Sequence, residues 1–123
     1  MKEFINKTSR VYLTHDQIFV VEYQDDLVLD VEDIHIPVEQ YLAVTDTGNP
    51  LKVLIEFPAN TIINNDARRF AENRDQWAIA EAIVINSLGQ RILFRFYSKF
   101  RKHKYPIKSF SNREEALEWL RDR

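Results

Sequence analysis

Three histidines, His15, His35 and His103, stand far apart in the chain, and there is no cysteine. No two imidazoles lie one helical turn apart, so no metal centre and no other cofactor is expected. The two glycines, Gly48 and Gly89, are too few for a glycine-rich phosphate loop, and no Gly-x-Ser-x-Gly elbow presents a nucleophilic serine. Asp25-Asp26 and Glu32-Asp33 are adjacent acids that suit a turn and a first helical turn better than a general acid and base. Residues of catalytic type therefore do not assemble, and an enzyme is not expected.

Residues of binding type do gather. Asn86 and Ser87 end a strongly apolar run and open a helix, whose free amide groups favour an anion, with Arg91 one turn further on. Tyr105 and Lys108 would complete an anion- or ligand-binding site if the chain brought them to the same end of the sheet. Ser87 is equally a plain helix cap. Along the same helix, at ~100° per residue, Leu88, Ile92, Leu93, Phe96, Tyr97 and Phe100 fill one apolar arc, while Arg91, Arg95, Ser98 and Lys102 share the other side. Phe94 falls on that polar side. Arg91, Phe94, Arg95 and Lys102 are thus candidates for a partner surface, although a solvated face also accounts for the charges.

A formal net charge of -2 and a pI near 5.9 hide a division along the chain. Nine acids and no Lys or Arg lie between Asp16 and Leu51; eight Lys or Arg and no acid lie between Ala82 and Arg113. The halves can pair within one chain or across a symmetric interface, so a homodimer is expected alongside a protein partner. The acidic pI and the lack of a recognition motif argue against nucleic acid. No apolar run reaches the roughly 18 residues of a membrane span, and Met1 to Arg10 has no apolar signal core, so a cytoplasmic protein without a transmembrane segment is expected. At 123 residues and 45% hydrophobic, residues 1–123 should form one domain with a continuous core.

The elements that must position these residues follow from periodicity. Arg10–Leu13 and Ile18–Tyr23 are β-branched and aromatic runs around Thr14-His15-Asp16-Gln17, which predicts a hairpin; Leu27-Val28-Leu29 extends the sheet briefly. Asp30 stands at an N-cap position before Val31, Ile34, Val38, Tyr41 and Leu42, a helical spacing that Gly48 and Pro50 should stop. Pro37 should kink that helix or confine its regular part to the second half. Then come a strand over Leu51–Phe57, a short helix over about Asp66–Asn73, a buried strand over Ala80–Ile85, the long helix from Ser87 to about His103, and an edge strand over Tyr105–Phe110. Ser111 or Asn112 caps a final helix with Ala116, Leu117 and Leu120 inward. The order ββαβαβαβα is of α/β type.

Ala82-Ile83-Val84-Ile85-Asn86-Ser87, Arg91, Phe96-Tyr97 with Lys99, Tyr105-Pro106-Ile107-Lys108-Ser109-Phe110 and Glu114-Glu115-Ala116-Leu117-Glu118-Trp119-Leu120 resemble the small bacterial STAS-like (SpoIIAA-like) domains. These are relatives in fold of anti-sigma-factor antagonists, some of STAS/Sec14 type. The likeness covers the C-terminal half in its motifs and the N-terminal half in its element order. It implies a STAS-like mixed β-sheet of about five strands with helices packed against it, and regulatory or ligand-binding roles more than catalytic ones. In the antagonists a serine of an Asp-Ser-Ser-Gly motif is phosphorylated. The matching stretch here, Ala59 to Asp66, has Thr61 as its sole hydroxyl, so that switch is not carried over.

The expected function is a non-catalytic regulatory or protein-interaction module, self-associating in one version. The alternative is a carrier of a small lipid-like or anionic ligand held between sheet and helices. One feature separates them: an interaction module exposes Phe94 over a filled core, whereas a carrier leaves Phe94, Phe96, Tyr97 and Phe100 lining a cavity.

Overall fold

The computed structural model describes residues 3–45, 48–74 and 77–123. In chain order its elements are β1 (Glu3–Ile5), β2 (Ser9–Leu13), β3 (Ile18–Tyr23), β4 (Val28–Leu29), α1 (Val31–Val44) and β5 (Lys52–Glu56). There follow β6 (Ile62–Ile63), α2 (Asn65–Asn73), β7 (Ala80–Val84), α3 (Leu88–Phe100), β8 (Ile107–Phe110) and α4 (Arg113–Arg121).

The main sheet has the order β1-β2-β3-β5-β7-β8, antiparallel through the opening hairpin and parallel from β3 onwards. The expected hairpin and mixed α/β sheet are present, with more strands than the five or so anticipated. β1 adds an outer strand, and β4 leaves the main sheet to pair with β6. Runs of two or three residues carry too little periodicity to announce a strand.

The steps from β3 to β5, β7 and β8 all move in one direction. Right-handed crossovers therefore put α1, α2 and α3 on the same face, and α4 returns over the other. Side-chain alternation agrees. Val53 and Ile83 join Ile34, Tyr41, Ala71 and Tyr97 of the three helices, while Leu54, Ala82 and Val84 join Ala116 and Leu120 of α4.

Pro37 neither kinks α1 out of existence nor starts it. A proline at this position lacks the N–H that would bond the Asp33 carbonyl, and the Tyr23 hydroxyl donates to that oxygen instead, at 3.1 Å. A strand side chain thus replaces the missing helical bond. Asp30 caps α1 as expected, within a reciprocal capping box with Asp33. The helix ends at Val44, capped by Thr45, short of Gly48. Residues 46–47, which the expected helix included, lie outside the described residues, as do Met1 and Lys2. Among the described residues no helix is long and apolar enough to cross a membrane.

Candidate ligand-binding site

β7 is buried along its whole length, yet its second residue is a glutamate, 0% exposed. A carboxylate in such a strand requires a buried partner. Arg74, the first residue past α2, supplies it: Nη2 lies 2.7 Å from Glu81 Oε2, and the arginine side chain is only 7% exposed. The same nitrogen donates to the hydroxyls of Tyr97 at 3.0 Å and Tyr105 at 3.3 Å, and Nη1 donates to the Ala71 carbonyl at 3.2 Å.

Tyr97 reaches the cluster from the last turns of α3. Its hydroxyl donates to Glu81 Oε1 at 2.5 Å and lies 2.8 Å from His103 Nε2. The single phenolic proton goes to the carboxylate, so Nε2 of His103 must carry the hydrogen of that contact. His103 is then the neutral tautomer with a bare Nδ1, which is buried without a partner. Its ring stacks on Tyr105, with centroids 4.5 Å apart. Arg101 holds this loop by donating from Nη1 to the carbonyls of His103 at 2.9 Å and Tyr105 at 2.6 Å.

Electrostatics keep Arg74, the two tyrosines and His103 each in one state. Burial would push the Arg74 guanidinium towards neutrality, but the Tyr97 oxygen and the Glu81 carboxylate outweigh it, so the arginine stays charged. Burial, opposed by Arg74, raises the Tyr97 hydroxyl well above its ordinary value, and Tyr105 is raised by burial and by Glu81. Burial and the neighbouring cations Arg74, Arg101 and Lys104 hold His103 down to about 3, consistent with its neutral tautomer.

Beside this cluster, between the sheet and the three helices, is a cavity of about 100 Å³. Val21, Val53 and Ile83 line it from the sheet, Pro37 from α1, and Leu93 and Phe94 from α3. Arg74, Glu81 and Tyr97 form its polar end. The cavity is a cleft and not a sealed void, since Ile62 in its wall is also solvent-exposed. What the arrangement offers chemically is a mostly apolar hollow, with Arg74, Glu81 and Tyr97 on one part of its wall and Thr61 and Gln90, both bonded to backbone carbonyls, on another. Among the described residues no group of His, Cys, Asp and Glu could hold a metal ion.

The anion candidates do not come together. Asn86 and Ser87 both give their backbone N–H to the Gln90 side-chain oxygen, at 2.8 and 3.1 Å, and Ser87 accepts from the Gln90 N–H as an ordinary cap. Arg91 points to solvent. Tyr105 precedes β8, whose residues Ile107 and Lys108 pair with Glu81 and Ala82 at the start of β7, whereas Asn86 and Ser87 follow its far end. Lys108 is exposed, its ammonium over the Phe110 ring. Tyr105 belongs instead to the buried cluster.

The roll of α3 also departs from the apolar-arc reading. Phe94, placed by that reading on an outward face, is half-buried against the core and lines the cavity with Leu93 and Tyr97. Leu88, Ile92, Phe96 and Phe100, read as inward, form an exposed stripe with Phe96 and Phe100 stacked. Two polar anchors set the roll: Gln90 donates to the carbonyls of Pro58 and Thr61, at 2.6 and 2.7 Å, and Tyr97 is held by Glu81. Arg91, Arg95 and Lys102 are exposed. Thr61 is fully buried, donating to the Gln24 carbonyl and accepting from the Leu27 N–H, which leaves it inaccessible as a modification site.

Arg74, Glu81, Tyr97 and His103 as a unit escaped the sequence reading. The available signal was Glu81 itself, a lone carboxylate inside a run that otherwise reads as buried on both faces.

No curated protein matches the sequence. Among solved structures the fold is similar to that of an uncharacterised protein of the DUF3478 family with a SpoIIAA-like fold from Shewanella loihica PV-4. The TM-score is 0.61 at 14% identity, and the likeness covers 91% of each chain. At that identity it shows the fold alone, the SpoIIAA-like architecture that the sequence motifs implied. Residues 11–123 match the family Domain of unknown function (DUF7793), and the chain belongs to that family.

Proposed function

We propose that this chain is a non-catalytic binding module whose cleft holds a small, largely apolar molecule between the sheet and α1, α2 and α3. One observation carries the reading: Phe94, which an interaction module would expose over a filled core, instead lines a hollow of about 100 Å³ together with Tyr97, while Phe96 and Phe100, which a carrier would also turn inward, are exposed. The polar cluster at its end suits binding more than turnover. Its tyrosines are held protonated, its histidine neutral, and its arginine and glutamate are committed to each other. Native mass spectrometry of protein purified gently from its host tests this. The expected spectrum contains an added small mass that is lost on denaturation and is missing from Ala71→Leu, which narrows the cleft. A bare protein that takes up no apolar probe overturns the proposal.

A second reading, the protein-interaction module, has its own support in the stripe Leu88, Ile92, Phe96 and Phe100, bordered by Arg68 over Phe96 and Lys99 over Phe100. Isolated apolar residues at a surface are ordinary, but four in line on one helix face resemble a contact surface. The same mass spectrum reads subunit number, and Phe96→Ser with Phe100→Ser should return any dimer to monomer. Part of the divided charge is met within the chain, where Arg113 pairs with Glu22.

A further inference from the structure

The apolar stripe on α3 runs beside a row of cations that the chain leaves unmatched. Leu88, Ile92, Phe96 and Phe100 recur every four residues and are 44% to 70% exposed. Arg91, Arg95 and Lys99 stand three positions after Leu88, Ile92 and Phe96, so they form the adjoining row on the helix surface. All three are exposed, and among the described residues none of them has a carboxylate partner. Arginines elsewhere on the surface do: Arg10 pairs with Glu3, Arg69 with Asp66 and Arg121 with Asp16.

The neighbourhood cannot neutralise the row. No acid occurs between Ala82 and Arg113, and on α2, which packs beside α3, Glu72 is engaged by Arg68 and Asp66 by Arg69. α1, with Glu32, Asp33 and Glu39, lies beyond α2 in the helical layer. Nor can α3 turn to bury the apolar row, since that rotation breaks the Gln90 bonds to Pro58 and Thr61 and the Tyr97 bond to Glu81.

Whatever covers this face must be apolar in depth and negative at its surface. A second copy of the chain fails on charge, because α3 packed on α3 sets the two cationic rows together. A folded protein partner fails on area. A helix of 13 residues is about 20 Å long, and one face of it offers on the order of a few hundred Å². A stable protein complex needs about 800 Å² per partner. A bilayer has no such threshold: an interfacial helix dips its apolar row into the acyl boundary and holds its Lys and Arg at the level of the headgroups.

We infer, building on the reading of the stripe as a contact surface and independently of what the cleft holds, that α3 docks the chain onto an anionic lipid surface. Leu88, Ile92, Phe96 and Phe100 enter the acyl boundary, and Arg91, Arg95 and Lys99 meet the acidic headgroups.

Flotation of the full chain tests this with vesicles of phosphatidylcholine alone and vesicles in which a quarter of the lipid is phosphatidylserine. The chain is expected to float with the second kind and not the first, and to be released at high salt. Arg91→Gln, Arg95→Gln and Lys99→Gln together should weaken binding about a hundred-fold, near five-fold per cation. Phe100→Trp should be quenched by brominated acyl chains beyond the level that Trp77 and Trp119 give in the parent. The replaced side chains are exposed, and circular dichroism checks that each variant is folded. Flotation that ignores phosphatidylserine, or Phe100→Trp left unquenched on vesicles that carry the chain, overturns the inference. Should no vesicle bind while the mass spectrum shows a dimer that Phe96→Ser with Phe100→Ser dissolves, the stripe is a protein contact and the lipid inference alone falls. Absence of both vesicle binding and stripe-dependent association overturns the contact-surface reading with it.

Discussion

The two faces of the main sheet bury β7 in opposite ways. Towards α4 the strand presents Ala80, Ala82 and Val84, which meet Ala116 and Leu120 in a filled layer. The ionic group on that side is at the rim: Arg113, a third exposed, donates to Glu22, to Glu56 and to the Tyr12 hydroxyl at 2.7 Å. Towards the three helices the strand presents Glu81 and Ile83; the ionic group lies at the centre, and a hollow remains beside it. Small side chains on both partners let a helix close onto a sheet. A face that must accommodate an arginine, a glutamate, two tyrosines and a histidine, each with hydrogen-bonding geometry to satisfy, cannot also be filled by shape alone.

The largest effect should come from breaking the central ion pair. Arg74→Met leaves Glu81 buried and unpaired and is expected to lower stability by about 3–5 kcal/mol in urea denaturation, much of it recovered by adding Glu81→Leu. Arg113→Met, at the rim of the opposite face, should lose about 1 kcal/mol or less. Equal losses would erase the distinction between the faces.

Added bulk probes the same contrast with the opposite sign of demand. Ala82→Leu overfills the α4 layer and should destabilise by about 1–3 kcal/mol. Ala71→Leu, on the wall of the cleft, should stay within about 0.5 kcal/mol of the parent, because its new atoms enter empty space. A penalty at Ala71 as large as at Ala82 would mean that the cleft is already filled by side chains in solution.

A smaller effect concerns pH. The His103 imidazole is held down to about 3, below its ordinary 6.5, so the unfolded chain binds the extra proton first as pH falls. Its contribution is fully present above pH 6.5 and declines below it, reaching its floor near the folded value of about 3. Between pH 6.5 and about 5.5 this amounts to roughly 1 kcal/mol, which His103→Phe should remove from the slope. His103 ring ¹⁵N shifts should report the Nε2–H tautomer throughout that range. A charged ring there would sink both the tautomer and the slope.

Much of the architecture was legible because its signals are local. The alternation in Ile18–Tyr23, the cap at Asp30, the apolar run ending at Asn86-Ser87 and the Asn112 cap before Arg113 each involve neighbours within a few residues. Those patterns sufficed for the α/β order and for most element boundaries. The Pro37 ambiguity was legible as an ambiguity, but its resolution by Tyr23 was not, since the rescuing hydroxyl comes from a different element.

Local patterning also marked out α3 as an amphipathic helix with one broad apolar arc and left Phe94 outside it, whereas the buried side is the Leu93 and Tyr97 edge of that arc together with Phe94. Its roll was decided by groups far away in the chain: Gln90 bonds Pro58 across 32 positions and Tyr97 bonds Glu81 across 16. Hydrophobic periodicity constrains a helix only to within the width of its apolar arc, about 100° or more, whereas a buried hydrogen bond tolerates far less rotation. The same reason explains why Ser87 was recognisable as a cap while the site itself, Arg74 with Glu81, Tyr97 and His103, came into view only when α2, β7 and α3 were brought together.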